Sequence, residues 1–531
     1  MTLALALLNV LNMAFSRKTK VKGTAIRFNY IVENAIKTMD TDYENIEGPE
    51  AQDRLQKCEN AVGYSNSSMT QQIFRVITAM VSNILGLVLY SALIFSLSSW
   101  IVMLLAILSV LNYSISKHRW LWWKQARNKW GSAERQCKYL RERACGVEAA
   151  KDIRLYQLMR WFEPAYVKLM NTMNFWRMQE ANKDFQVVRA EALLNAVRDG
   201  VAYGVLLTKA AHGKLAADEF VFYFSLIAQY STWMTGIFKA LNELGRTQIQ
   251  INDLRSFWDM PDTSNRGPGM VIPVGAPDIV FEHVTFRYRG TEKDVLKDVS
   301  FRIRPGEKVA LVGRNGSGKT TIVKLLCNLY QPVSGEIRIN GKRLEAYNRD
   351  ELWKIYSVVF QDVHVMPLTI AENIALVPAA AIDREKLWRV LAQADLETKI
   401  QTLPDKENTL LVKQIHSKAT SLSGGELQKL ALARALYKGG SIVVLDEPTA
   451  ALDPITESHQ YERYAQLTGG CSSLYISHRL ASTQFCDRVL YIEDGTIQEE
   501  GSHQELVALG GKYAELYAIQ SHYYRDEVKE A

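Results

Sequence analysis

Gly313-Arg-Asn-Gly-Ser-Gly318-Lys319-Thr320 decides how the second half of this chain is read. The stretch fits the pattern G-x-x-x-x-G-K-[ST], in which glycines let the backbone curl until its N–H groups face phosphate oxygens. It follows a strand-like run, Lys308–Val312, and opens a helix-like run, Thr321–Asn328, the context that such a loop requires. Gly313, Asn315, Gly316, Ser317 and Gly318 are the expected cradle, continued by Lys319, Thr320 and Thr321. Lys319 is expected to bring its charge to the outer phosphates and Thr320 a hydroxyl to Mg²⁺. The amino end of the helix adds a partial positive charge.

Roughly 130 residues further on, Ser441-Ile-Val-Val-Leu-Asp446-Glu447 reads as an apolar strand ending in two carboxylates. Neighbours on a strand point to opposite faces, so the two acids are free to take separate tasks. Asp446 is expected at the metal and Glu447 at the attacking water as general base. Around these motifs, short β-branched runs alternate with amphipathic ones, the pattern of an α/β domain with parallel strands. The domain starts after residues 259–277, where four prolines and three glycines rule out a continuing helix and mark a linker.

The first half is of a different kind. Residues 76–116 contain no charged side chain over 41 positions, twice the ~20 residues needed to cross a bilayer. The polar Ser96-Leu-Ser-Ser99 divides this run into spans at 76–97 and 100–115. Arg75 precedes the pair and Lys117, His118 and Arg119 follow it, so both outer ends are expected in the cytoplasm. A second pair is read at 190–207, which carries Arg198 and Asp199, and at 220–238. Charges within a span are costly unless they pair or face a cavity, so Arg198 and Asp199 either line a path or lie near the headgroups. The polar stretches 17–75 and 117–189 read as helices that continue beyond the bilayer, with an apolar stripe through Ile26, Tyr30, Asn34 and Ile36–Met39.

The chain has 531 residues, a net charge of +6 and a mean hydropathy of −0.12, an average over these two unlike halves. Between Lys117 and Arg189, 16 basic residues face 7 acidic ones. Next to charge-free spans this excess fits the cytoplasmic side of a membrane better than a nucleic-acid surface, and no nucleic-acid partner is expected. Six scattered cysteines with no C-x-x-C pair indicate neither a zinc site nor a disulfide framework.

Between the phosphate loop and the acidic pair lies Leu422-Ser423-Gly424-Gly425-Glu426. The ordered set is Tyr288, the loop 313–320, Gln361 in V-V-F-Q-D, L-S-G-G-E, L-D-E-P, A-L-D at 451–453 and His478 in I-S-H. Together they resemble the nucleotide-binding domain of ATP-binding cassette (ABC) transporters over residues 278–531. A membrane region at 1–258 ahead of one such domain resembles an exporter-type half-transporter. The implied fold class is an α-helical transmembrane domain followed by an α/β P-loop NTPase domain of the ABC type.

The resemblance implies ATP and Mg²⁺ as cofactors, with Tyr288 stacked on adenine, Gln361 near the Mg²⁺ and the water, and His478 at the γ-phosphate. Ser423, Gly424 and Gly425 would receive the phosphate held by a second subunit, with Asp453 at the seam between them. Two domains would therefore have to join around ATP. The expected function is ATP-driven export of an unidentified substrate by a dimer, with a homodimer favoured over pairing with a different half-transporter. The alternative is a membrane-tethered ABC ATPase with a sensing role. The expected location is the plasma membrane, in contact with lipid, with the ATPase domain in the cytoplasm. Segments 43–54 and 150–156 fall where exporters place their coupling helices.

Three departures stand out. Glu426 replaces the usual Gln, segment 413–420 lacks the usual acidic, glycine-containing motif, and four spans and a fragment are read where exporter halves have six. The chain is thus expected to begin within the second span, either truncated at its start or missing an element.

Overall fold

The computed structural model describes residues 2–520 apart from 64–67, 98, 148, 414, 448–463, 465–468 and 478–479. It divides into two units. One comprises residues 1–40 and 49–260; the other comprises residues 41–48 and 261–531.

The first unit is helical: α1 (Thr2–Asp40), α2 (Pro49–Val62), α3 (Met69–Leu97), α4 (Ser99–Ala144), α5 (Ala150–Leu155), α6 (Met159–Ala211) and α7 (Ala217–Trp258). Among the described residues, Met69–Phe95 is the one stretch long and apolar enough to cross a membrane, and only 11% of its most apolar window is buried. A shorter apolar stretch runs over Ala106–Ile115. The expected spans at 190–207 and 220–238 are parts of the 53-residue α6 and the 42-residue α7.

Close packing of α3 on α7 depends on two glycines. A Cβ on Gly86 would fall 2.5 Å from the Trp233 ring, and one on Gly236 would fall 2.5 Å from the Asn83 amide. Arg198 is buried and donates from Nε to Asp199 Oδ1 at 2.9 Å, an oxygen that also accepts from Ser231 Oγ at 2.8 Å. Pairing of this kind lowers the cost of a charge inside an apolar bundle. On α1, Tyr30 stacks on Trp258 at 5.7 Å, and Asn34 Oδ1 accepts from Trp258 Nε1 and from Cys58 Sγ. The stripe does not continue as read, because Ile36 and Met39 are exposed.

The second unit holds two sheets. The four-stranded one has the order β2 (Leu296–Ile303), β1 (Ile279–Phe286), β4 (Ser334–Ile339) and β5 (Lys342–Arg343), all antiparallel. The six-stranded one has the order β10 (Thr496–Gly501), β9 (Arg488–Glu493), β3 (Lys308–Val312), β8 (Ser472–Ile476), β7 (Ile442–Asp446) and β6 (Tyr356–Val359). Its strands from β9 to β6 are parallel, and β10 returns antiparallel. The helices are α8 (Lys319–Leu326), α9 (Arg349–Trp353), α10 (Ile370–Ala375), α11 (Arg384–Gln393), α12 (Glu397–Gln401) and α13 (Gly424–Lys438), followed by one at His503–Leu509. Val309, Leu311, Ile322, Val444, Leu474 and Leu490 are fully or almost fully buried and join strands to α8 in one core. Parallel strands buried on both faces read as near-continuous apolar runs, as β7 does up to Asp446, whereas β8 opens with the buried Ser472 and Ser473.

The sequence pattern groups residues 41–48 with the helical region, yet they belong to the second unit. The Asp42 carboxylate explains this. It accepts from the backbone N–H groups of Thr263 (2.5 Å) and Ser264 (3.0 Å) and from both of their hydroxyls. Arg349, only 2% exposed, adds Nη1 at 3.4 Å while its guanidinium lies over the Trp353 ring at 4.5 Å.

Candidate functional site

The phosphate-type loop leaves the carboxyl end of β3 at the centre of the six-stranded sheet, where α/β sheets place their ligand crevice. Glycine is required at two positions for different reasons. A Cβ on Gly313 would fall 2.1 Å from the Ile492 carbonyl oxygen, and Gly318 caps α8 at φ +107°, a conformation that disfavours any side chain. Lys319 starts α8 two residues ahead of the expected helix. Its ammonium is 5% exposed and bridges the carbonyls of Gly313 (2.8 Å) and Arg314 (3.0 Å), closing the loop into a ring. Burial pushes the Lys319 ammonium below its usual range, against the pull of Glu447 and Asp446. Ser317 is buried, and its Oγ has no hydrogen-bond partner among the described residues. Asn315, Gly316 and Thr320 lie exposed at the surface of the loop, and Thr321 is buried beneath it.

Asp446 ends β7 beside Ile476 of β8. Burial and the neighbouring Glu447 push its carboxyl up to about 6, against the Thr320 side chain that hydrogen-bonds to it. Its Oδ1 is buried and unpartnered among the described residues. Glu447 differs from its expected place: it is not on the strand but in a left-handed turn at φ +50°, anchored by its N–H to the Ile476 carbonyl at 3.0 Å. The two acids are separated by this turn rather than by strand alternation. Gln361, two residues beyond the end of β6, donates from Nε2 to Glu447 Oε2 at 3.0 Å.

These groups fit a nucleotide triphosphate with one divalent cation. The loop offers curled backbone and a lysine, while the unpartnered Asp446 oxygen and the Thr320 hydroxyl offer hard oxygen donors beside it. Among the described residues no group of three His, Cys, Asp or Glu side chains could hold a metal by itself. A cation here would therefore take phosphate or water for its remaining ligands, as Mg²⁺ does.

Tyr288 lies just beyond β1, half-buried, with its hydroxyl 3.1 Å from Thr321 Oγ1. Ser423 is the N-cap of α13 and forms a capping box with Glu426: Ser423 N–H donates to Glu426 Oε2 (2.7 Å), and Glu426 N–H donates to Ser423 Oγ (3.3 Å). The expectation of bare N–H groups is corrected at this point. The Ser423 and Glu426 amides are already bonded, because an acid at the third helical position folds back on the cap. The amides of Gly424 and Gly425 are those left to receive an anion. Lys399, which the sequence did not single out, pairs with Glu426 at 3.0 Å. His478 and Asp453 lie outside the described residues. In segment 413–420, Thr420 N–H donates to the Leu410 carbonyl and His416 lies 3.2 Å from the Pro367 carbonyl, with Ile415 exposed.

A family model described as "ABC transporter" matches residues 296–450, a stretch that contains the loop, Gln361, Ser423 and both acids. Residues 296–450 belong to the ABC transporter family. A curated relative from Burkholderia pseudomallei (strain 1710b), "ATP-dependent lipid A-core flippase", is 41% identical over 257 residues, 48% of this chain and 42% of the relative. One of the same description from Bordetella avium (strain 197N) is 30% identical over 375 residues, 71% of this chain and 63% of the relative. The matched part thus spans less than two thirds of these relatives' length. Among solved structures, "Structure of a bacterial Atm1-family ABC exporter with ATP bound" superposes with a TM-score of 0.80 at 23% identity, over 96% of this chain and 87% of the other.

The likeness to the Atm1-family structure gives the chain its fold class: a helical region of the exporter fold followed by an ABC nucleotide-binding domain. Within that domain the loop, Gln361, Asp446 and Glu447 converge on one end of the six-stranded sheet. The signature around Ser423 caps a separate helix.

Proposed function

We propose that this ABC protein is an ATP hydrolase that drives export of a lipid-like amphiphile across the plasma membrane, working as a homodimer with its nucleotide-binding domains in the cytoplasm. The observation that carries the reading is the convergence of Lys319, Asp446, Gln361 and Glu447 at the ends of β3, β6 and β7. ATP supplies the transferable γ-phosphoryl group, and a bound Mg²⁺ would supply positive charge against the charge developing on it. Lys319 exchanges its two loop carbonyls for phosphate oxygens, a stronger charge-assisted contact. Asp446 and Thr320 would hold the cation, with Gln361 close by. Glu447 takes a proton from water while Gln361 fixes the carboxylate. Tyr288 stacks on the base, and His478 and Asp453 act at the γ-phosphate and at the dimer seam.

Ser423 and the amides of Gly424 and Gly425 serve the phosphate bound to the partner copy, so that ATP joins two copies and hydrolysis releases them. An exposed apolar stretch such as Met69–Phe95 favours a lipid environment over a soluble core. The basic residues that flank 76–116 favour a cytoplasmic position for its outer ends. The lipid class of the cargo follows the names of the relatives.

Reconstitution of the full chain in liposomes with a fluorescent lipid analogue tests the reading. ATP should move the analogue between leaflets, and Glu447→Gln liposomes should not. ATP hydrolysis without movement of lipid would favour a sensing or tethering role instead.

A further inference from the structure

Tyr288 is one wall of an aromatic cage. Its ring meets Phe286 at 5.0 Å and Tyr330 at 5.4 Å, close to perpendicular in both pairs. Tyr330 in turn meets Tyr43 edge-on at 5.8 Å. Lys324 Nζ lies 5.6 Å from the ring centroids of Tyr43, Tyr288 and Tyr330 alike. The same nitrogen is 2.9 Å from Glu47 Oε1, which also accepts from the Tyr43 hydroxyl at 3.2 Å. Arg289, the residue after Tyr288, pairs with Glu44 at 2.8 Å. The ammonium is thus shared by three rings and one carboxylate. Burial opposes the Lys324 charge, but Glu47 and the tyrosines outweigh it and keep the ammonium above its usual range.

We infer that Lys324, clamped by Glu47, is a positioning residue for the nucleotide base, which fixes the Tyr288 ring and ties base recognition to residues 43–47. The inference rests on reading Tyr288 as the adenine-stacking residue. Tyr288 is fixed at two ends: its hydroxyl touches Thr321 Oγ1, and its ring faces Lys324, one turn further along α8. A ring already fixed loses little rotamer freedom when a base stacks on it, so the cage gives affinity through preorganisation. One helix then sets both ends of the nucleotide, the phosphates through Lys319 and Thr320 and the base through Lys324. Glu47 is 277 positions from Lys324 in sequence, so the contact also links that base to the segment between α1 and α2.

The test uses the purified full chain, with KM and kcat for ATP and the inhibition constant of inorganic tripolyphosphate, which carries phosphates but no base. Lys324→Met should raise KM about fivefold, the size of a partly buried cation–ring contact. Its kcat should stay within about twofold, and tripolyphosphate should inhibit as before. Lys324→Arg should restore KM. Glu47→Gln, which keeps the side-chain volume, should raise KM in the same direction and serves if Lys324→Met does not fold. An unchanged KM in both variants of an active enzyme would overturn the inference. Equal weakening of ATP and tripolyphosphate would do so too, since Lys324 would then act on the phosphate loop. A wild-type chain without ATP turnover would overturn the reading of the whole site.

Discussion

Gln361 Nε2 donates a hydrogen bond of 3.0 Å to Glu447 Oε2, across 86 residues of sequence. It joins the loop beyond β6 to the turn after β7, two adjacent parallel strands. The bond orients a carboxylate whose own backbone is held in a left-handed turn. Gln361→Ala should therefore lower ATP turnover by roughly ten- to a hundredfold through misplacement of the base. The affinity for ATP should change far less. Steady-state kinetics beside equilibrium nucleotide binding check this, and a loss confined to affinity would contradict the role.

On the proposed reading Lys319→Ala removes a charge-assisted phosphate contact worth about 1.5–3 kcal/mol, so ATP affinity itself should fall roughly ten- to a hundredfold. Calorimetric titration of the purified chain measures it. Unchanged affinity would show that the loop does not cradle phosphate.

Asp42 and Arg349 anchor residues 41–48 in the second unit. Breaking a buried pair from one side costs about 3 kcal/mol or more, so Arg349→Ala should lower the thermal unfolding temperature of the chain. Burial would raise the Asp42 carboxyl, but hydrogen bonds from Ser264 and Thr263 outweigh it and hold the group below its ordinary 3.8. The stabilisation is therefore present above that ordinary value and is lost as pH falls through the lowered native one. Asp42→Asn should flatten this acid limb of the stability profile. An identical limb in the variant would remove Asp42 from the account.

Glu426 acts on α13 as a cap, and Gln can close the same box. Glu426→Gln should leave thermal stability nearly unchanged. Glu426→Ala, which keeps the Ser423 cap but removes its reciprocal bond, should cost about 1 kcal/mol, the net worth of one hydrogen bond. Thermal unfolding of the two variants side by side separates capping from a role of the charge paired with Lys399.

The sequence made local elements readable where chemistry and pattern coincide. Lys308–Val312 is a strand over the very residues read, since five residues between turn signals on the way into a glycine loop leave little freedom. Lys319, Asp446 and Ser423 were likewise readable, because each is tied to a motif by spacing. The turn at Glu447 was not readable: its conformation follows from an N–H bond to Ile476, a residue of another strand. Nor could the pattern place residues 41–48, whose partners Thr263 and Arg349 lie 221 and 307 positions away. Lys324 and Lys399 carry no motif, and only the fold brings them to Tyr288 and Glu426.

The central claim is that Glu447 is the general base of an ATPase built from two copies of this chain. The most direct measurement is ATP turnover of the purified chain and its Glu447→Gln variant, with the mass of each measured in the presence of ATP and Mg²⁺. The account predicts turnover in the wild type, a loss of roughly a hundredfold or more in the variant, and an ATP-loaded dimer that accumulates because hydrolysis cannot release it. Near-equal turnover in the two, or a monomer that hydrolyses ATP as fast as any dimer, would contradict it.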